Sequence, residues 1–178
     1  MENVWFSSDF HLDHKNIIQY SKRPFKNVEE MNTTILANIN AKVARQDRLY
    51  FNGDFCFNYK RIKEFRERIN CAHVYLIYGN HDDNIRNNAE NRRLFEWCKD
   101  YEEIKVGQQV IILHHYAYRT WNKQKYLSWS CHGHSHGSLP DDPNLLSMDV
   151  GVDCNNYFPF SFDDIQQRMK LKTYKKVH

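Results

Sequence analysis

Apolar residues along the chain fall into two kinds of pattern, short continuous runs and stripes at helical spacing. The runs "VWFSS" (4–8), "RLYFN" (48–52), "HVYLIY" (73–78), "EIKV" (103–106) and "VIILHH" (110–115) predict strands. Several are apolar on both faces, as central strands of a covered sheet are. Between the first two, Val28, Met31, Ile35, Ile39 and Val43 recur at helical spacing, and Asn27 with Glu30 supplies an N-cap signature. Ile62, Phe65 and Ile69 mark a second helix, and Leu94 to Cys98 a third. Ser161, with Asp163 and Asp164 in the first turn, opens a last helix through Ile165 and Met169. The basic segment "KLKTYKKVH" (170–178) that follows reads as a frayed, solvated end.

No repeat, low-complexity tract or Pro/Gly/Ser linker divides these elements, so the chain reads as a single domain, 1–178. Its 41% apolar and 15% aromatic residues suffice for a core. The 25 basic and 22 acidic residues leave a net charge of +3, too mild to argue for nucleic-acid binding on electrostatics alone. Five cysteines, Cys56, Cys71, Cys98, Cys131 and Cys154, are odd in number, widely spaced and without a CxxC pair. That usage fits reduced thiols and a cytoplasmic location. The N-terminus lacks a signal-peptide pattern, and no run approaches the roughly 20 apolar residues of a membrane span, so no membrane association is expected.

The polar residues change the picture, because the unusual ones sit where strands end. Asp9 and His11 follow the first strand, Gly53 and Asp54 the next, and Gly79, Asn80 and His81 the third, while His114 and His115 end another. "WSCHGHSHGSLP" (129–140) adds three histidines and a cysteine within six positions. In an open sheet with helices packed on it, strand ends at one edge share a crevice, so residues far apart in sequence are expected to meet. Oxygen and imidazole donors without a thiolate set suit Mn, Fe, Ni or Zn better than a Cys-based structural zinc site. Asp9, His11, Asp54, Asn80, one of His114 and His115, His134 and His136 make seven ligands, about right for two ions sharing a carboxylate. Two ions roughly 3.5–4 Å apart can clamp a phosphoryl group during in-line displacement.

The ordered segments "DFH" (9–11), "GD" (53–54), "GNHD" (79–82), "HH" (114–115) and "GHSH" (133–136) resemble the motifs of the calcineurin-like metallophosphoesterases. With "SDFHLDHKNII", "HYAYRTW", "GHSHG" and "DVGVD" (149–153), the resemblance is closest to a small, cap-less bacterial and phage branch and reaches nearly the whole chain. It implies an α/β fold, a four-layer sandwich of two mixed sheets flanked by helices. It also implies Asp9, His11 and His136 on one metal, Asn80, His134 and one of the adjacent histidines on the other, and Asp54 between them. His81 would bind no metal and would donate to the phosphoryl oxygen or protonate the leaving group. "HY" before a small residue matches the branch at His115, and neighbouring side chains in a strand point to opposite faces, so His115 is the expected ligand and His114 faces the packing.

The activity so implied is hydrolysis of small phosphodiesters or phosphomonoesters, nucleotide-like and with diesters favoured, by a metal-bridging hydroxide. Manganese is the preferred ion, with Ni, Fe or Zn as alternatives. A nuclease acting on single strands and a non-catalytic interaction protein on the same fold are the rival readings, and the oligomeric state is left open. Around the ligands, His14 is a candidate to line the crevice or to cap a helix. Arg119 could grip a phosphate and Trp121 could stack on a base, against a surface arginine and a core tryptophan. His132 and Cys131 read as bystanders. Asp149 and Asp153 read either as acceptors orienting ligand histidines or as turn residues.

Overall fold

The structure, a computed structural model, describes residues 2–174. Its nine strands are β1 (Val4–Ser7), β2 (Arg48–Phe51), β3 (His73–Ile77), β4 (Cys98–Lys99), β5 (Tyr101–Val106), β6 (Gln109–His114), β7 (Trp129–His132), β8 (Ser147–Asp149) and β9 (Phe160–Ser161). Among the described residues six α-helices accompany them: α1 (Ile17–Tyr20), α2 (Val28–Lys42), α3 (Ile62–Glu67), α4 (Asp83–Arg86), α5 (Ala89–Arg92) and α6 (Phe162–Lys170). The strands form two mixed sheets, ordered β4-β3-β2-β1-β9 and β5-β6-β7-β8. β1 to β4 run parallel with β9 antiparallel at one edge, and β6, β7 and β8 run parallel with β5 antiparallel.

Alternation along the first sheet explains the layering. Leu49, Phe51, Val74 and Leu76 face a core shared with α2 and α3, whereas Phe6, Tyr50 and Ile77 face a second core with Ile111, Ile112, Leu113 and α6. Each strand thus buries both faces, which is why it reads as an apolar run. α2 begins where the sequence predicts: the Asn27 side chain accepts from the Glu30 N–H at 2.8 Å, and Met31, Ile35 and Ile39 are fully buried. In α6 a full capping box joins Ser161 and Asp164.

Three expectations change. Leu94 to Cys98 is no helix, because the Glu96 N–H donates to Val74, Leu76 donates to Trp97, and Cys98–Lys99 becomes the edge strand on β3. The unpaired β3 backbone edge outweighs local helix propensity there. β7 went unread because Ser130 and His132 interrupt its apolar run, although all four residues are buried between β6 and β8. The basic end is docked as far as it is described. The Lys172 ammonium donates to Asp141 and, at 2.7 Å, to the Ser147 carbonyl, and the Thr173 N–H donates to Pro143 at 2.8 Å. The rest of that segment, 175–178, lies outside the described residues. Among the described residues no helix is long and apolar enough to cross a membrane.

Candidate metal centre

The C-terminal ends of β1, β2, β3, β6 and β7 gather at one edge, and hydrogen bonds stitch the turns that leave them. The N–H groups of Asp9, His11 and Leu12 donate to the carbonyls of Gly53, Asp54 and Phe55, and Gly133 donates to His115. Across the two sheets, the Asn52 amide donates to the Cys131 carbonyl at 2.7 Å. Asp82 fastens the turn after β3 to the turn after β2, its carboxylate accepting from the N–H groups of Asp54, Phe55 and Gly79 at 2.8–3.0 Å. At Gly79 a Cβ would stand 2.1 Å from Asp54 Oδ1, so only glycine admits the carboxylate that close.

The backbone bends sharply at the same places. Asp9, His11, Asp54, His134 and His136 all have positive φ, between 48° and 68°. Non-glycine residues in this left-handed region cost of order 1–3 kcal/mol each and persist where the surroundings over-determine them. This twist turns carboxylates and imidazoles from successive strand ends toward one point.

Three groups of donor atoms converge there, each within 4.8 Å of one another: Asp9, His11 and His136; His11, Asp54 and His81; and Asp54, His115 and His134. Asp54 Oδ2 lies 3.4 Å from His11 Nε2 and 3.5 Å from His115 Nε2. Asn80 Oδ1 meets His115 Nε2 at 3.0 Å and His134 Nδ1 at 2.9 Å. Behind these atoms stand orienting groups. His115 Nδ1 donates to the Asn52 carbonyl at 2.7 Å, since a carbonyl can only accept, which leaves its Nε2 with a free lone pair aimed at Asn80 and Asp54. His136 Nδ1 contacts Asp153 Oδ2 at 2.8 Å, and Asp153 is gripped by Arg23 through two bonds of 2.9 and 2.7 Å. Arg23 also donates to the carbonyls of Asp9 and Phe10.

The electrostatics suit a cation. Burial raises the Asp9 carboxyl well above its usual range, with repulsion from Asp149 and Asp54 adding to it. Burial raises Asp54 as well. Burial pushes His115 down to about 4 and lowers His11, to which neighbouring positive groups contribute. Both ring nitrogens of His11 are buried with no hydrogen-bond partner among the described residues. Lone pairs face lone pairs between His115 and Asn80, and crowded carboxylates resist ionising. A divalent ion would relieve both, so the donor set fits metal.

The structure brings all seven expected ligands and His81 together. The His81 N–H donates to Asp54 Oδ1 at 2.8 Å, and its exposed ring lies 5.2 Å from that of His11. His114 points elsewhere: it bonds the Tyr116 carbonyl and Ser130 Oγ and stacks on Tyr118 at 4.0 Å. His14 joins the site, its ring 5.4 Å from His11 and 6.0 Å from His81. Trp121 does not. It is 9% exposed in the second core and its indole N–H donates to Ser128, so it has no free face for a base. Arg119 is exposed but lines a cavity of about 540 Å³ with Tyr118, His132, Asp149 and Cys154, none of them in the cluster. Of the two acidic candidates, Asp153 orients His136, whereas Asp149 serves a turn, accepting from the N–H groups of Gly137 and Gly151. Arg23, Asp82 and the Asn52 carbonyl escaped sequence reasoning. Only Asp82, inside "GNHD", stood in a segment that marked it.

No protein-family model matches the chain. An uncharacterised protein of Methanocaldococcus jannaschii is 33% identical over 171 residues, which cover 92% of this chain and 89% of that protein. A solved structure of a protein of unknown function from Aquifex aeolicus superposes with a TM-score of 0.75 at 23% identity, covering 94% of this chain and 99% of that one. A structure described as a novel archaeal phosphodiesterase gives a TM-score of 0.51 at 18% identity, over 84% of this chain and 83% of that one. The chain therefore belongs to the same family as the Methanocaldococcus jannaschii protein, and its two mixed sheets flanked by helices are the calcineurin-like phosphoesterase fold.

Proposed function

We propose that this protein is a phosphoesterase with two divalent transition-metal ions, manganese preferred, acting on small nucleotide-like phosphodiesters in preference to monoesters. One observation carries the reading: Asp54 Oδ2 stands within 3.5 Å of ring nitrogens from both sides of the cluster, the place of a carboxylate shared by two ions. Asp9, His11 and His136 would hold one ion, Asn80, His115 and His134 the other, with Asp54 common to both. Bound ions would supply Lewis-acid polarisation of the phosphoryl oxygens and a water acidic enough to attack phosphorus near neutral pH.

The protein's own groups do the rest. Asp153, itself held by Arg23, keeps the His136 Nδ1 proton engaged so that Nε2 faces the site. The Asn52 carbonyl does the same for His115. His81, exposed at the rim and anchored through its backbone to Asp54, would donate a proton or hydrogen bond to the departing oxygen. A cleft of about 490 Å³ between Tyr20, Lys22, His134 and His136 leaves this edge open, as a small substrate requires.

Purified protein should take up two ions per chain and hydrolyse bis(p-nitrophenyl) phosphate, with activity abolished by chelation and restored by manganese. Replacing His81 with Ala should keep the metals and lose on the order of 10²–10⁴ in rate. A single ion in fully metallated wild type would remove the shared role of Asp54, and metal loss in His81→Ala would move His81 among the ligands.

A further inference from the structure

Trp121 is buried, yet the rim of the cluster does carry an open aromatic face. Phe57 is 50% exposed and stacks on His14 with ring centroids 4.1 Å apart and planes 7° from parallel. Its centroid lies 5.9 Å from that of His81. A single exposed apolar ring is unremarkable on a protein surface. This one differs in how it is held. The Phe57 N–H donates to the Leu12 carbonyl at 2.9 Å, and Cys56 bridges to Leu12 just before it. The ring therefore rides three residues beyond Asp54 on the same fastened turn. Its back is supported by His14, which is 9% exposed and whose Nδ1 has no hydrogen-bond partner among the described residues. One face of Phe57 is covered by His14, half of the residue is open to solvent, and the His81 ring lies beside it.

Resting on the phosphoesterase reading, we infer that Phe57 is the platform on which the base of a nucleotide or nucleoside phosphodiester stacks while its phosphoryl group lies at the metal centre. A rigid, pre-supported phenyl face recognises any purine or pyrimidine by its π-surface, without hydrogen-bond readout. Continuing the His14–Phe57 stack by one more ring gives offset aromatic packing, and Phe57 loses little freedom because its backbone is already fixed. A free nucleotide is favoured over a strand. Of the exposed rings at the rim, Tyr20 and Tyr116 meet His14 and His134 edge-on while Phe57 is seated face to face on His14, and a net charge of +3 supplies little general attraction for a phosphate backbone.

The test uses full-length, manganese-loaded protein and titration calorimetry with adenosine 5′-monophosphate and ribose 5-phosphate. Wild type should bind the nucleotide about ten- to a hundredfold more tightly than the sugar phosphate. Phe57→Leu, which keeps an apolar cover on His14 but lacks a ring, should bring the nucleotide to the sugar-phosphate level, with metal content and sugar-phosphate affinity unchanged. Phe57→Trp should retain the preference. No preference in wild type, or a preference that survives Phe57→Leu, would overturn the assignment. Affinity for a short single-stranded oligonucleotide that climbs with each added phosphate would overturn the choice of a free nucleotide. The two readings fail separately. Hydrolysis without a base preference removes the platform and keeps the phosphoesterase, whereas a ring-dependent preference without any hydrolysis does the reverse.

Discussion

On the Asp9 side of the centre, Asp9 and His11 are buried and His136 is locked by a carboxylate that is itself held by a buried arginine. On the Asn80 side, Asn80 and His134 lie in exposed turns, and the one buried imidazole, His115, is oriented by a backbone carbonyl alone. Asp54 stands between them. One half is therefore preorganised by a network of charges reaching to residue 23, and the other is held by local turns open to solvent. Rigid, desolvated donors favour tight and slowly exchanging binding, while exposed ones permit ligand exchange during a reaction. The proposed division of labour follows: a resident ion on the Asp9 side and a more labile one on the Asn80 side.

The most damaging change to that division is one that strikes both halves. Asp54→Ala should cut metal content below one ion per chain and lower turnover by roughly a thousandfold or more, read by elemental analysis and diester hydrolysis together. If one ion survives with most of the rate, the two halves do not share Asp54.

Arg23→Met should damage one half only. It leaves Asp153 buried without its partner, which typically costs about 3–5 kcal/mol in unfolding free energy, measured by denaturant titration of the metal-free protein. Affinity on the Asp9 side should weaken by about 10–100-fold in a chelator competition, with the other side spared. Equal losses on both sides would dissolve the comparison.

The adjacent histidines give the finest resolution. His115→Ala should strip the labile ion, and His114→Ala should leave it bound. Burial pushes both imidazoles down to about 4, so the folded chain keeps them neutral while the unfolded chain takes up protons near 6.5. Their contribution to stability is therefore present above about pH 6.5 and is lost as the pH falls toward 4. His114→Gln, which touches no proposed ligand, should flatten that acid limb slightly in melting curves of the metal-free protein. An unchanged slope would mean that His114 is not held neutral.

The strand-end chemistry was legible because glycines, carboxylates and histidines crowd turns where apolar runs stop. Asp9, His11, Asp54, Asn80, His134 and His136 needed no structure to be grouped. What was illegible depends on long loops closing. Arg23 meets Asp153 across 130 residues and the Asn52 side chain reaches Cys131 across 79, with no local pattern to announce either. Trp121 misled because an indole suits a core as well as a binding face, and the Ser128 carbonyl that satisfies its N–H decides the matter. Phe57 hid inside "GDFCFNYK", where its ring reads as one more core aromatic.

Five left-handed residues and two mutually repelling, buried acids make the centre a liability for the fold wherever metal is scarce. Asparagine tolerates that backbone region as well as aspartate does and carries no charge to desolvate. A lineage that ceased to need the chemistry would therefore gain thermal tolerance from Asn at positions 9 and 54 before any repacking of its core. On the proposed reading, the need for charged metal ligands is what offsets that cost at both positions.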